Sequence, residues 1–169
     1  SPRPASRPRP SVRRGSGAPP QGRRTVPAAA SGWSGIVYAR GMHGDPQGTA
    51  VGAALLAAIR ERDHGAIRSC FTPEARLRVL TPRSLREEDG PDAIAARYGS
   101  WLDGLEGFRV LAADCEWIAD RVRIRYRFLG HDPDKGWQEN EHTAYAAITA
   151  GAIAALNVSC AGFRPAEDR

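Results

Sequence analysis

The chain of 169 residues is poor in cysteine, with three, and holds a single methionine, Met42. Cys70, Cys115 and Cys160 lie far apart, with no CxxC or paired Cys/His spacing, which argues against a zinc site. An odd number of separated thiols also argues against a disulfide-stapled secreted domain and points to a reducing, cytoplasmic setting. No apolar run approaches the roughly 20 residues of a membrane-spanning helix, so no membrane partner is expected. GxSxG, P-loop and dinucleotide-binding patterns are all missing, and no cofactor is expected. Acidic residues are absent from residues 1–44, which instead hold eight arginines. Removing those eight from 24 basic residues leaves 16 against 19 acids in residues 45–169, a net charge of about −3. The overall charge of +5 therefore belongs to the amino-terminal segment, and the remainder lacks the bulk signature of a nucleic-acid-binding surface.

That segment begins SPRPASRPRPSVRRGSGAPPQGRR and has almost no apolar residue able to join a core. Such a stretch cannot offset its ordering entropy and is expected to be disordered. An arginine-rich arm touching nucleic acid is one role for it. An extension without a role is the preferred alternative, since Met42 stands just before the first helix signal; a linker to an upstream domain is a third. The pairs Arg13–Arg14 and Arg23–Arg24 are similar to a twin-arginine signal, but the following TVPAAASGWSGIV is too polar for a signal core. The expected organisation is a tail over 1–44, a domain over 45–165 and a short tail over 166–169.

Asp45 and Pro46 suit the cap and first turn of a helix, with Val51, Ala54, Leu55, Ala58 and Ile59 as its apolar stripe. Asp63 caps a second, short helix that turns Ile67, Cys70 and Phe71 inward. TPEA then reads as a turn and residues 76–80 as a strand. Gly90–Pro91 opens a third helix with the stripe Ile94, Tyr98, Trp101, Leu102 and Leu105. Four β-runs follow, over 108–118, 120–129, 137–149 and 152–163, separated by short turns that favour antiparallel neighbours.

The order helix, helix, strand, helix, then four strands, the helix start DGPDAIAARY and the ending ENEHTAYAAITAGAIAALNVSCAGF resemble the SnoaL-like proteins of the nuclear-transport-factor-2-like superfamily. The resemblance covers about residues 46–165. It implies an α+β cone, in which a curved antiparallel sheet wraps around about three amino-terminal helices and leaves a pocket, and it implies a homodimer. Members with known chemistry are cofactor-independent cyclases, isomerases or dehydratases that move a proton next to a carbonyl. None of their catalytic patterns maps residue by residue onto this chain.

Orientation can be read from residues 121–128. Arg121, Arg123, Arg125 and Arg127 alternate with Val122, Ile124, Tyr126 and Phe128. Burying four unpartnered guanidinium groups is prohibitive, so the arginines face outward and the aromatics inward. An antiparallel return through GHDPDKG opposes Arg127 to Glu141 and Tyr126 to His142 in one register, which keeps Glu139 and Glu141 outside and His142 in the pocket. A register shifted by one reverses this and is less favoured. The expected pocket is aromatic with few polar groups, lined by Tyr98, Trp101, Tyr126, Phe128, His142 and Cys160, and suits a small apolar or polyketide-like ligand. His142 is a candidate general acid or base and Tyr126 a candidate oxyanion donor. Asp114 is a candidate to orient the imidazole if Phe108, Val110 and Ala112 face inward; Leu111, Cys115 and Trp117 occupy the other face, and the pattern does not decide between them. The plainer alternative makes His142 a core histidine bonded to Tyr126, Tyr98 and Trp101 core side chains, and Cys160 a small buried hydrophobe.

Overall fold

The computed structural model describes residues 46–167. The arginine-rich segment 1–44, its arginine pairs, Met42 and the Asp45 cap lie outside the described residues. Helix α1 spans Pro46–Glu61 and α2 His64–Ser69; strands β1 (Phe71–Leu80) and β2 (Leu85–Asp89) precede helix α3 (Pro91–Leu102). Strands β3 (Glu106–Ile118), β4 (Arg121–Asp132), β5 (Gly136–Thr149), β6 (Ala152–Cys160) and the two-residue β7 (Arg164–Pro165) complete the chain. They form one curved sheet in the order β2-β1-β6-β5-β4-β3, with β7 beside β5. Every pair is antiparallel except β1 and β6, which run parallel. That single parallel pair follows from the long return through α3 and four strands, whereas short turns impose antiparallel neighbours.

Helix α1 packs through most of the expected stripe: Leu55, Ala58 and Ile59 are buried and Val51 packs against the core. Ala54 is exposed, while Gly48 and Gly52 are buried beside Leu55 and Ile59. A Cβ at Gly48 would come within 2.5 Å of the Trp117 ring, and one at Gly52 within 3.1 Å of Val122. The two glycines therefore let the helix backbone approach β3 and β4 closely. Asp63 caps α2, its Oδ1 accepting from Ala66 N at 2.9 Å. Ile67, Cys70 and Phe71 are buried as expected. The TPEA stretch is no turn: β1 begins at Phe71 and carries an irregularity between Phe71 and Arg76, because Phe71 pairs with Ile153 of β6. Helix α3 buries Ile94, Tyr98 and Leu102 and stops before Leu105, which is buried from the following turn. Arg62 closes that end, donating from Nη1 to the Leu105 carbonyl at 2.9 Å and the Leu102 carbonyl at 3.3 Å.

The orientation of β4 is as the alternation implies. Val122, Ile124, Tyr126 and Phe128 are at most 3% exposed, and the four arginines lie on the convex side. Arg127 opposes Glu141 and Tyr126 opposes His142 across β5. On the convex face Arg125 donates to Asp114 at 2.7 Å, Arg123 pairs with Glu116, and Glu139 meets both Arg127 at 3.6 Å and Arg164 at 3.1 Å. Among the described residues no helix is long and apolar enough to cross a membrane.

Candidate functional site

Strand β5 supplies the polar groups of the concave face. Gln138, Asn140 and His142 share one side of it and are 5%, 1% and 3% exposed. Buried polar groups need partners, and each finds one. Gln138 donates to the Lys135 carbonyl at 3.0 Å. Asn140 lies 3.5 Å from Cys160 Sγ, which also accepts from Gly162 N at 3.4 Å. His142 Nδ1 shares a 2.5 Å hydrogen bond with the Tyr126 hydroxyl. Three rings enclose the imidazole: Tyr126 at 4.9 Å, Phe128 at 5.8 Å and Trp101 at 6.0 Å between centroids.

Burial sets the protonation states. It lowers the His142 pKa to about 4, so the imidazole is neutral at pH 7. It pushes the Tyr98 phenol up to about 12 and Tyr126 well above its ordinary value. Both phenols are therefore protonated donors. Among the described residues the His142 ring makes no hydrogen bond through Nε2, and His142 lines a cavity of about 660 Å³. Trp101, Leu105, Phe128 and Phe163 form the apolar part of that cavity; Ser84, Ser100, Gln138, Asn140 and Cys160 add polar groups, and Arg83, Arg86, Asp132 and Lys135 stand at its mouth. Among the described residues no group of three or more His, Cys, Asp or Glu side chains could hold a metal ion.

Four of the expected pocket residues, Trp101, Phe128, His142 and Cys160, line this cavity together. Tyr98 and Tyr126 do not. Tyr98 is 1% exposed and packs edge-on against Trp101 at 5.6 Å, while Tyr126 lies beneath His142. Tyr126 therefore holds the imidazole and cannot be the expected oxyanion donor to a ligand in the cavity. Asp114 is corrected outright: it bonds Arg125 on the convex face, and that bond holds its carboxyl below the usual range. The cause is the extra residue Leu111, where the β3–β4 register shifts between Val110 and Ala112. Phe108 and Val110 pack on the core before the bulge, and Cys115 and Trp117 do so after it, so both parities are used. Gln138 and Asn140 went unidentified although they share the parity of His142. Arg86 went unidentified because β2 has no clear apolar alternation. The expected apolar pocket is corrected at its mouth, which is polar and charged.

No family model matches the chain, and no curated protein does. Solved structures do. A hypothetical protein from Catenulispora acidiphila with a ketosteroid-isomerase-like fold, in complex with trimethylamine, matches with a TM-score of 0.54 at 14% identity, over 64% of this chain and 82% of that one. A candidate polyketide cyclase from Xanthomonas campestris matches at 0.56 and 17%, over 67% and 89%. A candidate isomerase from Bacillus subtilis matches at 0.56 and 16%, over 68% and 86%. The chain thus has the ketosteroid-isomerase-like, or nuclear-transport-factor-2-like, fold.

Proposed function

We propose that this chain is a small-molecule-binding domain whose ligand occupies the 660 Å³ cavity and meets Nε2 of His142. The observation that carries this reading is the buried, neutral imidazole, fixed through Nδ1 by Tyr126 and bordering a space lined by Trp101 and Phe128. Sites that bind small molecules commonly combine such apolar walls with a few fixed polar groups. Native mass spectrometry of the purified chain tests it: a retained small molecule, lost on Trp101→Ala, is the expected outcome. A chain that carries no ligand and binds nothing from a library of apolar compounds would sink the reading.

A second reading is cofactor-independent proton transfer next to a carbonyl, of the cyclase, isomerase or dehydratase kind. The similarity in fold to a candidate cyclase and a candidate isomerase favours it. His142 would then be the base and Tyr126 its positioning residue. Magnitude weighs against it. Lowering the imidazole pKa from 6.5 to about 4 removes roughly 3 kcal/mol of driving force for taking a proton. Binding is therefore the better-supported function. Deuterium exchange at the α-carbon of candidate ketones distinguishes the two; exchange that His142→Ala leaves unchanged removes the histidine from any mechanism. A homodimer through the convex face, where Tyr145 is 43% exposed, is the proposed assembly, checked by sedimentation of wild type and Tyr145→Glu.

A further inference from the structure

The mouth of the cavity carries an excess of positive charge. Arg83, Arg86 and Lys135 line it, against one acid, Asp132. Lys135 is already engaged, its Nζ 3.1 Å from Asp132. On the same concave side Glu88 is engaged by Arg97. Arg83 and Arg86 pair with no carboxylate among the described residues. Arg86 opposes Val79, whose side chain is 1% exposed, so it projects from β2 toward the hollow side of the sheet.

The rim that holds these arginines is braced. Thr81 Oγ1 accepts from Ser84 N at 3.1 Å and Arg83 N at 3.4 Å, and donates to the Ser84 carbonyl at 2.8 Å. The resulting turn seats on the segment after β6. Gly162 has φ +83°, and a Cβ there would fall 2.7 Å from Pro82 Cγ, so only glycine permits both the backbone and the contact. The backbone at Arg83 is thereby fixed, and both arginines line the same cavity as Phe163, Trp101 and Phe128. Guanidinium groups match carboxylate and phosphate oxygens in geometry as well as charge.

We propose that the ligand is an amphiphile, with an apolar body against Trp101, Phe128 and Phe163 and an anionic end, carboxylate or phosphate, held by Arg83 and Arg86. This rests on the ligand-binding reading of the cavity and adds the chemical class. The test is calorimetric titration of the full chain with 2-naphthylacetate, its methyl ester and 2-naphthyl phosphate, at low and physiological salt. The charged probes should bind about tenfold or more tightly than the ester, as expected for one or two charge-assisted hydrogen bonds. Salt should shrink that advantage, and Arg83→Ala with Arg86→Ala should abolish it while circular dichroism stays unchanged. Preference for the acetate, the phosphate or both supports the proposal and identifies the end group. Equal binding of charged and neutral probes, or a preference that survives the double variant, overturns it. If the ester still binds and Trp101→Ala weakens it, the cavity reading stands without the anionic end; if no probe binds, both fall.

Discussion

The two faces of β4 are built from alternate residues of one strand, yet they do different work. Its concave face, Val122 to Phe128, is sealed against the helices and carries the ring stack around His142. Its convex face carries arginines paired with carboxylates of β3 and β5, with half-exposed partners such as Arg125 and Asp114. Water already solvates the convex groups in the unfolded chain, so their pairing adds little. The concave groups leave water on folding, and that is where both the stability and the binding chemistry concentrate. Three polar side chains of β5 share the sealed side, which makes their hydrogen bonds far more consequential than the more numerous contacts outside.

Four substitutions or titrations sharpen the contrast. The largest effect is expected for Phe128→Ala, which empties a fully buried position and should cost about 3–5 kcal/mol in urea unfolding. A loss below 1 kcal/mol would mean that the concave face is loosely packed. Next comes acid titration. His142 has a folded pKa of about 4 against 6.5 unfolded, so the unfolded chain takes up the proton first as the pH falls. Its stability contribution is complete above pH 6.5 and is lost down to about pH 4, roughly 3 kcal/mol in all. Unfolding free energies measured across that window should fall more steeply for wild type than for His142→Gln; equal slopes would place the imidazole in water. Tyr126→Phe should cost about 1–3 kcal/mol, because the ring nitrogen loses its partner in a buried site, and should alter the tautomer ratio seen by nitrogen NMR. The smallest effect is expected on the outside, where Arg125→Ala should leave the urea unfolding midpoint almost unchanged, and still less altered at high salt. A convex variant as damaging as a concave one would erase the distinction.

Much of this was legible beforehand, and the exceptions share a cause. Alternation oriented β4 correctly, because four charged side chains on one parity leave a single affordable face. The β5 register followed from it and placed His142 opposite Tyr126. Asp114 was undecidable because Leu111 adds one residue to β3, and a bulge changes parity without leaving an apolar signature. The α1 stripe held at Leu55, Ala58 and Ile59 but missed two positions for a related reason: Gly48 and Gly52 count as nothing on a hydropathy scale, yet they mark the close approach to β3 and β4. Arg83 and Arg86 escaped notice because a short strand and a polar turn resemble any surface loop.

Local periodicity and the cost of burying charge were enough to establish helices, strands, the inward face of the central strand and the histidine it shelters. Whether that histidine borders a cavity, which phenol holds its ring, and which cations stand at the mouth depended on residues distant in the chain meeting across the sheet. Those meetings arise from register shifts, close packing and turn seating, which no window of neighbouring residues encodes.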